Sequence, residues 1–335
     1  MLQANLKTPE NFVLEEAPTP EPREHEALIK VVQAGICGSD VHAYYGKHPF
    51  ISCPIVPGHE FVGTVAKCGD GSTELVGKRV TVLPSLVCGT CYNCRIGRFN
   101  ICESLRVIGC QAPGAFAEYV VVPKDMVFEL PESFSWDQGV LVEPLSVAVH
   151  AVRRVPHIAG QTVLVLGAGT IGLMVIATLK AYGAGTIIVS DFNDNRLELA
   201  QALGAHHVVN AGKINLAQWI KENVERVDST FECVGVAATV NQGIELTIKG
   251  GNVVILGVFE EHAMVNMGLV QDKELNMIGT LMYTREDYRE AIRIIGHNPQ
   301  IDRLITHRFP LKDVDKGFSV LRNQPDEAIK VVLEI

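Results

Sequence analysis

The chain has 335 residues, of which 47% are hydrophobic and 20% are charged. That balance is typical of a folded protein with a large core, and the length favours two domains over one. The formal net charge of −9 would repel a phosphate backbone, and no run rich in lysine and arginine offsets it. Nucleic acid is therefore not an expected partner.

Two further features predict the location of the protein. The amino terminus lacks the basic start, apolar middle and small-residue cleavage site of a signal peptide, which predicts a cytoplasmic protein. Residues 155–179 contain no Asp, Glu, Lys or Arg, and that length would fit a membrane span. Their Gly, Pro, His and Gln residues favour a buried strand that turns into a helix. We therefore expect no membrane partner.

The first part of the chain, to about residue 141, predicts short strands separated by turns. Runs of β-branched residues are broken there by Gly and Pro, which favours a mainly antiparallel, loop-rich domain. The predicted strands are ALIKVVQAGI, FVGTVAK, KRVTVL and AEYVVVP.

Four cysteines fall within one short loop of this part, at Cys88, Cys91, Cys94 and Cys102. In a reducing cytosol, closely spaced thiols favour a metal over disulfides, and four thiolates suit a structural zinc ion. An iron–sulfur cluster is the main alternative, since bacterial ferredoxins also begin Cys-x2-Cys-x2-Cys. Their fourth cysteine comes sooner and is followed by proline, whereas Glu103 follows here. We expect structural zinc; the cluster, disulfides and free thiols stay open as alternatives.

From about residue 143 the pattern changes, because predicted strands now alternate with predicted helices. Such alternation indicates βαβ units and a parallel sheet. A final helix, REDYREAIRIIGHN, and a closing strand, AIKVVLEI, follow; periodicity does not decide which domain they join. The alternating segments are QTVLVLGAG, MVIATLKAYG, TIIVSD, NRLELAQALGA, HHVVN, LAQWIKENV, DSTFECVG and GNVVILG.

A glycine loop marks a candidate nucleotide site at the start of this part. Gly167, Gly169 and Gly172 have G-x-G-x-x-G spacing, with Thr170 and Ile171 between the last two. An apolar strand precedes the loop and an apolar helix follows, as the dinucleotide-binding motif requires. Gly167 would allow the tight turn, Gly169 the approach of a pyrophosphate, and Gly172 close packing of helix on strand. A glycine loop that serves packing alone is the alternative.

Residues at the ends of the following strands extend this site. Asp191 closes the next strand, nineteen residues after the last glycine, where a carboxylate binds ribose hydroxyls and repels a 2′-phosphate; this predicts NAD over NADP. Arg196 could accommodate a 2′-phosphate, but it stands five residues past the strand end, so we place it over the adenine or on the surface. Gly235 and Gly257 follow later strands and are expected to border the nicotinamide.

Two short motifs near the amino terminus, GICGSD and GHE, complete a larger pattern. Alone, Cys37 would be taken for a small buried residue, and His59 beside Glu60 for an ordinary pair. Together with the four-cysteine loop and GAGTIG, in this order along the whole chain, the motifs resemble the zinc-dependent medium-chain dehydrogenase/reductase family.

The resemblance implies an α/β protein with two domains. A GroES-like, mainly-β catalytic domain would occupy residues 1–142 and carry the structural zinc loop. A Rossmann coenzyme domain with a doubly wound parallel sheet would occupy residues 143–286, and residues 287–335 would return to the catalytic domain.

The resemblance also assigns a catalytic zinc site. Cys37 and His59 resemble its ligands, and Glu60 and Glu143 compete for the third place; we expect both carboxylates at the metal and leave their order open. Glu143 opens EPLSVAVHA, which resembles the sorbitol and polyol dehydrogenase branch. Its alternative role is a favourable charge at a helix N-terminus.

Three residues that follow Cys37 in the sequence, namely Ser39, Asp40 and His42, are expected to assist that site. Asp40 resembles the acid that orients the ligand histidine, with helix capping as the alternative. Ser39 resembles the hydroxyl of a proton relay that ends at His42; its alternative is also to cap the helix that starts after Gly38.

The implied activity is oxidation of a secondary alcohol of a polyol, sugar acid or cyclitol, with two zinc ions per chain and NAD as cofactors. Met282 precedes Tyr283 where sorbitol dehydrogenases tend to carry arginine, which puts sorbitol itself in doubt. A threonine-type or simple secondary-alcohol dehydrogenase is the alternative, followed by a non-catalytic NAD-binding protein. The resemblance also implies a homodimer or homotetramer.

Overall fold

The computed structural model describes all 335 residues, which fall into two units by their internal contacts. No helix combines the length and the apolar character needed to cross a membrane. The domain boundaries after residues 142 and 286, which separate the catalytic and coenzyme domains, remain a prediction. Unit 1 comprises Met1–Glu143, Thr284–Gly296 and Leu304–Ile335, and unit 2 comprises Pro144–Tyr283 and His297–Arg303.

Unit 1 is built mainly of strands, as its β-branched runs predict. The strands of its main sheet are β3 (Glu26–Ile36), β4 (Glu60–Cys68), β5 (Arg79–Val82), β8 (Tyr119–Pro123), β9 (Val127–Glu129), β16 (Ile305–Pro310) and β17 (Lys330–Glu334). Two small two-stranded sheets pair β1 (Leu2–Thr8) with β2 (Asn11–Glu16) and β6 (Ser85–Leu86) with β7 (Arg106–Val107).

The centre of the main sheet is β3, which pairs antiparallel with β4, β8 and β17. The closing strand β17 therefore lies beside the strand that leads into GICGSD. The order β16-β17-β3-β4-β5-β9 runs across the sheet, and only β16 and β17 pair in parallel. The helices of unit 1 are α1 (Gly38–Tyr44), α2 (Tyr92–Arg95), α3 (Trp136–Val140), α10 (Arg285–Gly296) and α11 (Val314–Asn323).

Unit 2 contains a six-stranded parallel sheet in the order β12-β11-β10-β13-β14-β15. The strand order reverses at β10, as in a doubly wound Rossmann sheet. Its strands are β10 (Thr162–Leu166), β11 (Thr186–Asp191), β12 (His207–Asn210), β13 (Ser229–Glu232), β14 (Asn252–Ile255) and β15 (Asn276–Gly279). Its helices are α5 (Thr170–Ala181), α6 (Asp194–Leu203), α7 (Leu216–Asn223), α8 (Ala237–Leu246) and α9 (Met267–Asp272). One more helix, α4 (Val142–Arg153), begins at the end of the first segment of unit 1 and continues into unit 2.

Most of the charge-free stretch 155–179 is buried in the core of unit 2. It contains β10, whose Val163, Leu164 and Val165 have no exposed surface, and most of α5, which is buried continuously from Gly172 to Leu179. A strand and a helix that are apolar on every side are stable only when buried on every side. The prediction of a buried strand turning into a helix is confirmed.

Candidate functional sites

The four-cysteine loop folds into a compact cluster in unit 1. The sulfur atoms of Cys88, Cys91, Cys94 and Cys102 all lie within 4.8 Å of one another. The Sγ of Cys88 lies 3.5 Å from that of Cys102 and 4.0 Å from that of Cys94. All nine cysteines of the chain are free thiols, because a disulfide would bring two sulfurs to about 2 Å. The disulfide alternative is therefore not realised.

Backbone donors surround these sulfurs and act on their ionisation. Amide N–H groups of Thr90 and Cys91 lower the pKa of the Cys88 thiol to about 6. Hydrogen bonds from the backbone also lower the pKa of Cys91. Burial raises the pKa of Cys94 to about 12, and a nearby cation would offset that effect. Four sulfurs around a tetrahedral zinc ion stand about 3.8 Å apart, so the observed spacing fits zinc.

A second cluster lies where β3, α1 and β4 meet. The ligand atoms of Cys37, His59 and Glu60 lie within 4.8 Å of one another. Cys37 caps the amino end of α1, and Glu60 is the first residue of β4. His59 and Glu60 are 6% and 1% exposed. One thiolate, one imidazole and one carboxylate form a donor set that suits a catalytic zinc ion with an open position.

Asp40 contacts Cys37 and faces His59, two members of this cluster. One of its oxygens accepts a hydrogen bond from the backbone N–H of Cys37 at 2.9 Å, and the other lies 3.6 Å from Nδ1 of His59. Burial opposes the charged imidazolium, but the charges of Asp40 and Cys37 raise the pKa of His59 well above its ordinary value. Asp40 thus caps the helix and also faces the histidine, so both expected roles are compatible with its position.

Lys330 is the residue of this cluster that sequence reasoning missed. Its Nζ lies 2.6 and 2.8 Å from the two carboxylate oxygens of Glu60 and donates to the carbonyl of Ile36 at 3.3 Å. Its side chain is 3% exposed. Burial disfavours the ammonium, yet the charges of Glu60 and Cys37 raise the pKa of Lys330. The signal in the sequence was a single lysine within the apolar run of the closing strand, since a buried lysine almost always has a partner.

Glu143 lies outside the group of three ligands. It is 5% exposed and stands in the first turn of α4, so it also occupies the favourable helix position considered as its alternative. Its charge acts on Lys330 and on the buried Tyr288. The structure therefore brings Cys37, His59 and Glu60 together and places Glu143 in their neighbourhood.

The two residues expected to relay a proton lie on α1. Ser39 is the second residue of that helix, and His42 lies three residues further along; both are half-buried. Cys37 is the N-cap residue, and the carboxylate of Asp40 binds its backbone N–H. The alternative that Ser39 caps this helix is therefore wrong.

The glycine loop in unit 2 has the geometry that a dinucleotide requires. Gly167 has a φ of +93°, a backbone conformation that residues other than glycine rarely adopt. A Cβ on Gly172 would lie 1.9 Å from the carbonyl oxygen of Gly167, so this position also requires glycine. No atom would contact a Cβ on Gly169, the N-cap residue of α5. Thr170 and Ile171 form the first turn of that helix. An open approach to a helix N-terminus fits a pyrophosphate group.

The neighbouring strands place the other predicted cofactor residues at the carboxyl edge of the same sheet. Asp191 ends β11 and accepts hydrogen bonds from the backbone N–H of Ala168, at 2.6 Å, and of Asn193, at 2.9 Å. Arg196 is half-buried in the first turn of α6. Gly235 and Gly257 follow β13 and β14, and the backbone nitrogen of Gly235 would lie 2.1 Å from a Cβ on Gly257. These residues thus share one sheet edge.

Comparison with known proteins identifies both units. The family model of the alcohol dehydrogenase GroES-like domain matches residues 23–132, and the family model of the zinc-binding dehydrogenases matches residues 170–296.

Similar proteins cover almost the whole chain. An L-threonine 3-dehydrogenase of Chelativorans sp. (strain BNC1) is 35% identical, with 98% of this chain and 96% of the relative covered. A sorbitol dehydrogenase of Bacillus subtilis (strain 168) is 32% identical, with 99% and 97% covered.

Two solved structures similar to this chain contain nicotinamide cofactors. A protein described as a short chain alcohol dehydrogenase, from Escherichia coli CFT073 and complexed with NADH, has a TM-score of 0.94 at 31% identity, and 100% of this chain and 99% of that chain are covered. A zinc-binding dehydrogenase from Sinorhizobium meliloti 1021, bound to NADP, has a TM-score of 0.91 at 34% identity with the same coverage.

The fold and the two cysteine-containing clusters define a zinc- and nicotinamide-dependent oxidoreductase of the medium-chain class. The chain belongs to the zinc-binding alcohol dehydrogenase family, so the predicted fold class and the predicted alcohol dehydrogenase activity are confirmed.

The four-cysteine cluster predicts a change in zinc content. We expect Cys94→Ser to lower the zinc content of the purified protein from two ions per chain to one, because three thiolates hold the structural ion much less tightly. Cys53→Ser, which removes a thiol outside both clusters, is the matched control. The measurement is elemental analysis of zinc and iron; two zinc ions in Cys94→Ser, or iron in the parent protein, would contradict the assignment.

The buried ion pair predicts a coupled effect on stability. We expect Lys330→Met to lower the free energy of unfolding of the chelator-treated protein by about 3–5 kcal/mol, because it leaves the Glu60 carboxylate buried without a partner. Adding Glu60→Gln should restore most of the loss. Lys78→Met, which breaks an exposed pair with Glu129, should cost less than about 1 kcal/mol. The measurement is urea unfolding of the two single variants and the double variant. A loss of stability in the double variant that equals the sum of the two single losses would refute the pairing.

Proposed function

We propose that the protein oxidises a secondary alcohol of a polyol, sugar acid or cyclitol with NAD as the hydride acceptor. The observation that carries this proposal is the convergence of Cys37, His59 and Glu60 within 4.8 Å, next to a helix that bears Ser39 and His42. A thiolate, an imidazole and a carboxylate around one point are the ligands of a zinc ion that does chemistry. The two relatives above are named for sorbitol and threonine, both of which carry a secondary alcohol.

The charges of the site support a role for both carboxylates. Cys37, Glu60 and Glu143 supply three negative charges when ionised, and the Lys330 ammonium, which contacts both oxygens of Glu60, cancels one of them. The two charges that remain on these groups balance a Zn²⁺ ion, and Asp40, behind His59, adds one further buried negative charge. We therefore assign Glu60 to the metal as the nearer carboxylate and Glu143 as the second one. A zinc ion offsets most of the negative charge of the site, which limits the repulsion of a developing alkoxide.

The helix α1 supplies the path for the proton. Ser39 and His42 are three residues apart on this helix and so lie on the same side of it. We assign Ser39 to accept the proton of the substrate hydroxyl and His42 to pass it to solvent. Asp40, fixed by the backbone N–H of Cys37, holds the imidazole of His59 in one orientation.

The residues of the chain thus bind, orient and deprotonate the substrate. When bound, the zinc ion would supply a Lewis acid that lowers the pKa of the substrate hydroxyl, and NAD would supply the hydride acceptor. The product is the ketone, and one proton leaves for each hydride transferred. Because His59 and Glu60 are buried, water does not compete with their side chains for the metal.

The preference for NAD over NADP rests on Asp191. Its carboxylate is fixed by two backbone N–H groups at the end of β11, where the ribose of a dinucleotide binds in such sheets. A fixed negative charge there repels a 2′-phosphate. A cytoplasmic location and a homodimer or homotetramer stay predictions from the sequence.

A threonine-type dehydrogenase is the second candidate, favoured by the 35% identity to the threonine 3-dehydrogenase. Threonine also offers a secondary alcohol to the metal, so the zinc cluster does not distinguish a polyol dehydrogenase from a threonine dehydrogenase. A measurement of turnover with each substrate distinguishes them.

The test of the proposed function is NAD reduction by the zinc-loaded protein across polyols, sugar acids, inositols, threonine and simple secondary alcohols. We expect turnover of a polyhydroxy compound that is lost when a chelator removes zinc. Cys37→Ser should abolish this turnover and leave NAD binding unchanged, because the thiolate is a metal ligand only. Preferential turnover of threonine would replace the proposal by the second candidate, and turnover that survives in Cys37→Ser would refute the metal assignment.

Cofactor selectivity gives a separate prediction. We expect Asp191→Ser to raise kcat/KM for NADP relative to NAD by about tenfold or more, because the repulsion of the 2′-phosphate is removed. Asp194→Ser is the matched control, since it removes an acid at the start of α6 that pairs with Lys213 instead. Equal ratios in both variants would show that Asp191 does not select the cofactor.

A further inference from the structure

Glu232 is a buried acid that none of the roles above uses. It is the last residue of β13 and has no exposed surface. Its Oε1 accepts three hydrogen bonds: from the backbone N–H of Val234 at 2.9 Å, from that of Gly235 at 2.8 Å, and from the hydroxyl of Thr239 at 2.7 Å. One side chain thus fixes the whole turn that follows the strand.

The second oxygen of this carboxylate has no hydrogen-bond partner although it is fully buried. It lies directly beneath Gly257, because a Cβ on that glycine would come within 2.7 Å of it. An unpartnered buried oxygen costs stability. Its persistence at this place calls for a role that a neutral side chain would not fill.

Hydrogen-bond donors and the start of a helix surround Glu232. Three donors converge on one of its oxygens, which has the acceptor capacity of a carboxylate. The helix α8 begins just beyond the turn, with Val236 as an N-cap residue that makes no side-chain hydrogen bond. The positive end of that helix dipole therefore faces a carboxylate instead of a capping side chain.

The position of Glu232 relates it to the cofactor. The strand β13 is adjacent to β10 in the sheet, on the side opposite β11 and Asp191. Ligands of such sheets bind at the carboxyl ends of the strands where the order reverses. Gly235 and Gly257, the residues assigned to the nicotinamide, are in backbone contact just above the free oxygen of Glu232.

We propose that Glu232 is a positioning residue for the nicotinamide end of the cofactor site, and that its buried carboxylate strengthens the binding of NAD⁺ relative to that of NADH. The nicotinamide ring of NAD⁺ carries a positive charge that the ring of NADH lacks, while the rest of the two molecules is the same. A fixed negative charge in a poorly solvated place attracts only the cationic ring. This inference rests on the proposed function, because it requires the dinucleotide to bind at this edge.

The experiment measures dissociation constants of NAD⁺, NADH and ADP-ribose by calorimetry, in the zinc-loaded parent protein and in Glu232→Gln. Glutamine keeps the size of the side chain and an oxygen for the three donors but removes the charge. ADP-ribose lacks the nicotinamide and reports on the rest of the site. The matched control is Asp228→Asn, which neutralises an acid at the other end of β13, where it accepts a hydrogen bond from the Thr162 N–H.

In Glu232→Gln we expect the ratio of the NAD⁺ to the NADH dissociation constant to rise on the order of tenfold. Affinity for ADP-ribose should stay within about twofold, and Asp228→Asn should leave the ratio unchanged. An unchanged ratio in Glu232→Gln would overturn the proposal. An equal loss of affinity for all three ligands would also overturn it, since it would show that the residue only holds the fold.

Two further variants separate charge from shape. Glu232→Asp keeps the charge on a shorter side chain, so we expect weaker binding of both cofactors with the same ratio of the NAD⁺ to the NADH dissociation constant as in the parent protein. A change in this ratio as large as in Glu232→Gln would overturn the role of charge. If circular dichroism shows that the glutamine variant does not fold, Val258→Lys takes its place. Val258 is 65% exposed next to Gly257, and a cation there should also raise the ratio, whereas no change would overturn the location.

The outcome distinguishes this inference from the proposed function. A parent protein that binds neither NAD⁺ nor NADH would refute the proposed function itself. A parent protein that binds both, together with a glutamine variant of unchanged ratio, would refute only the role of Glu232.

Discussion

The buried ion pair between Lys330 and Glu60 is the contact on which the cluster of Cys37, His59 and Glu60 depends. It joins β17 to β4, the strand that begins with the glutamate of GHE, and it is buried, with both side chains at most 3% exposed. Without the ammonium, Glu60 would place a bare carboxylate beside the Cys37 thiolate in a medium that screens charge poorly. The pair allows two acids and a thiolate to gather near one point, which is the condition for binding a divalent cation there.

Acids also organise the sheet of unit 2. Asp191 and Glu232 end the two strands that flank β10, and each accepts backbone N–H groups of the turn that follows its own strand. Asp191 in addition accepts an N–H from the glycine loop. In both cases one side chain holds a turn at the carboxyl edge of the sheet. In Glu232 the work is divided between the two oxygens, because one holds the turn and the other has no hydrogen-bond partner.

Much of this arrangement was predictable from local patterns. The strand and helix runs, the four-cysteine loop and the glycine loop are contiguous in sequence, so their spacing alone indicates their structure. The parallel sheet and the buried stretch 155–179 were confirmed for that reason. Lys330 was not predictable, because its partner lies 270 residues away and only the pairing of β17 with β3 brings the two together. Ser39 was considered as a helix cap, and the cap is instead Cys37, two residues earlier, a shift that sequence patterns do not resolve.

The position of Lys330 also bears on the order in which the protein can assemble. Synthesis proceeds from the amino end, so Cys37, His59 and Glu60 leave the ribosome long before residue 330, and for that time the acid lacks the cation that neutralises it. The strand β3 likewise lacks its neighbour β17 until residues 330–334 emerge. The cluster of Cys37, His59 and Glu60 therefore gains its neutralising cation late in synthesis, although Lys330 is remote in sequence from all three residues.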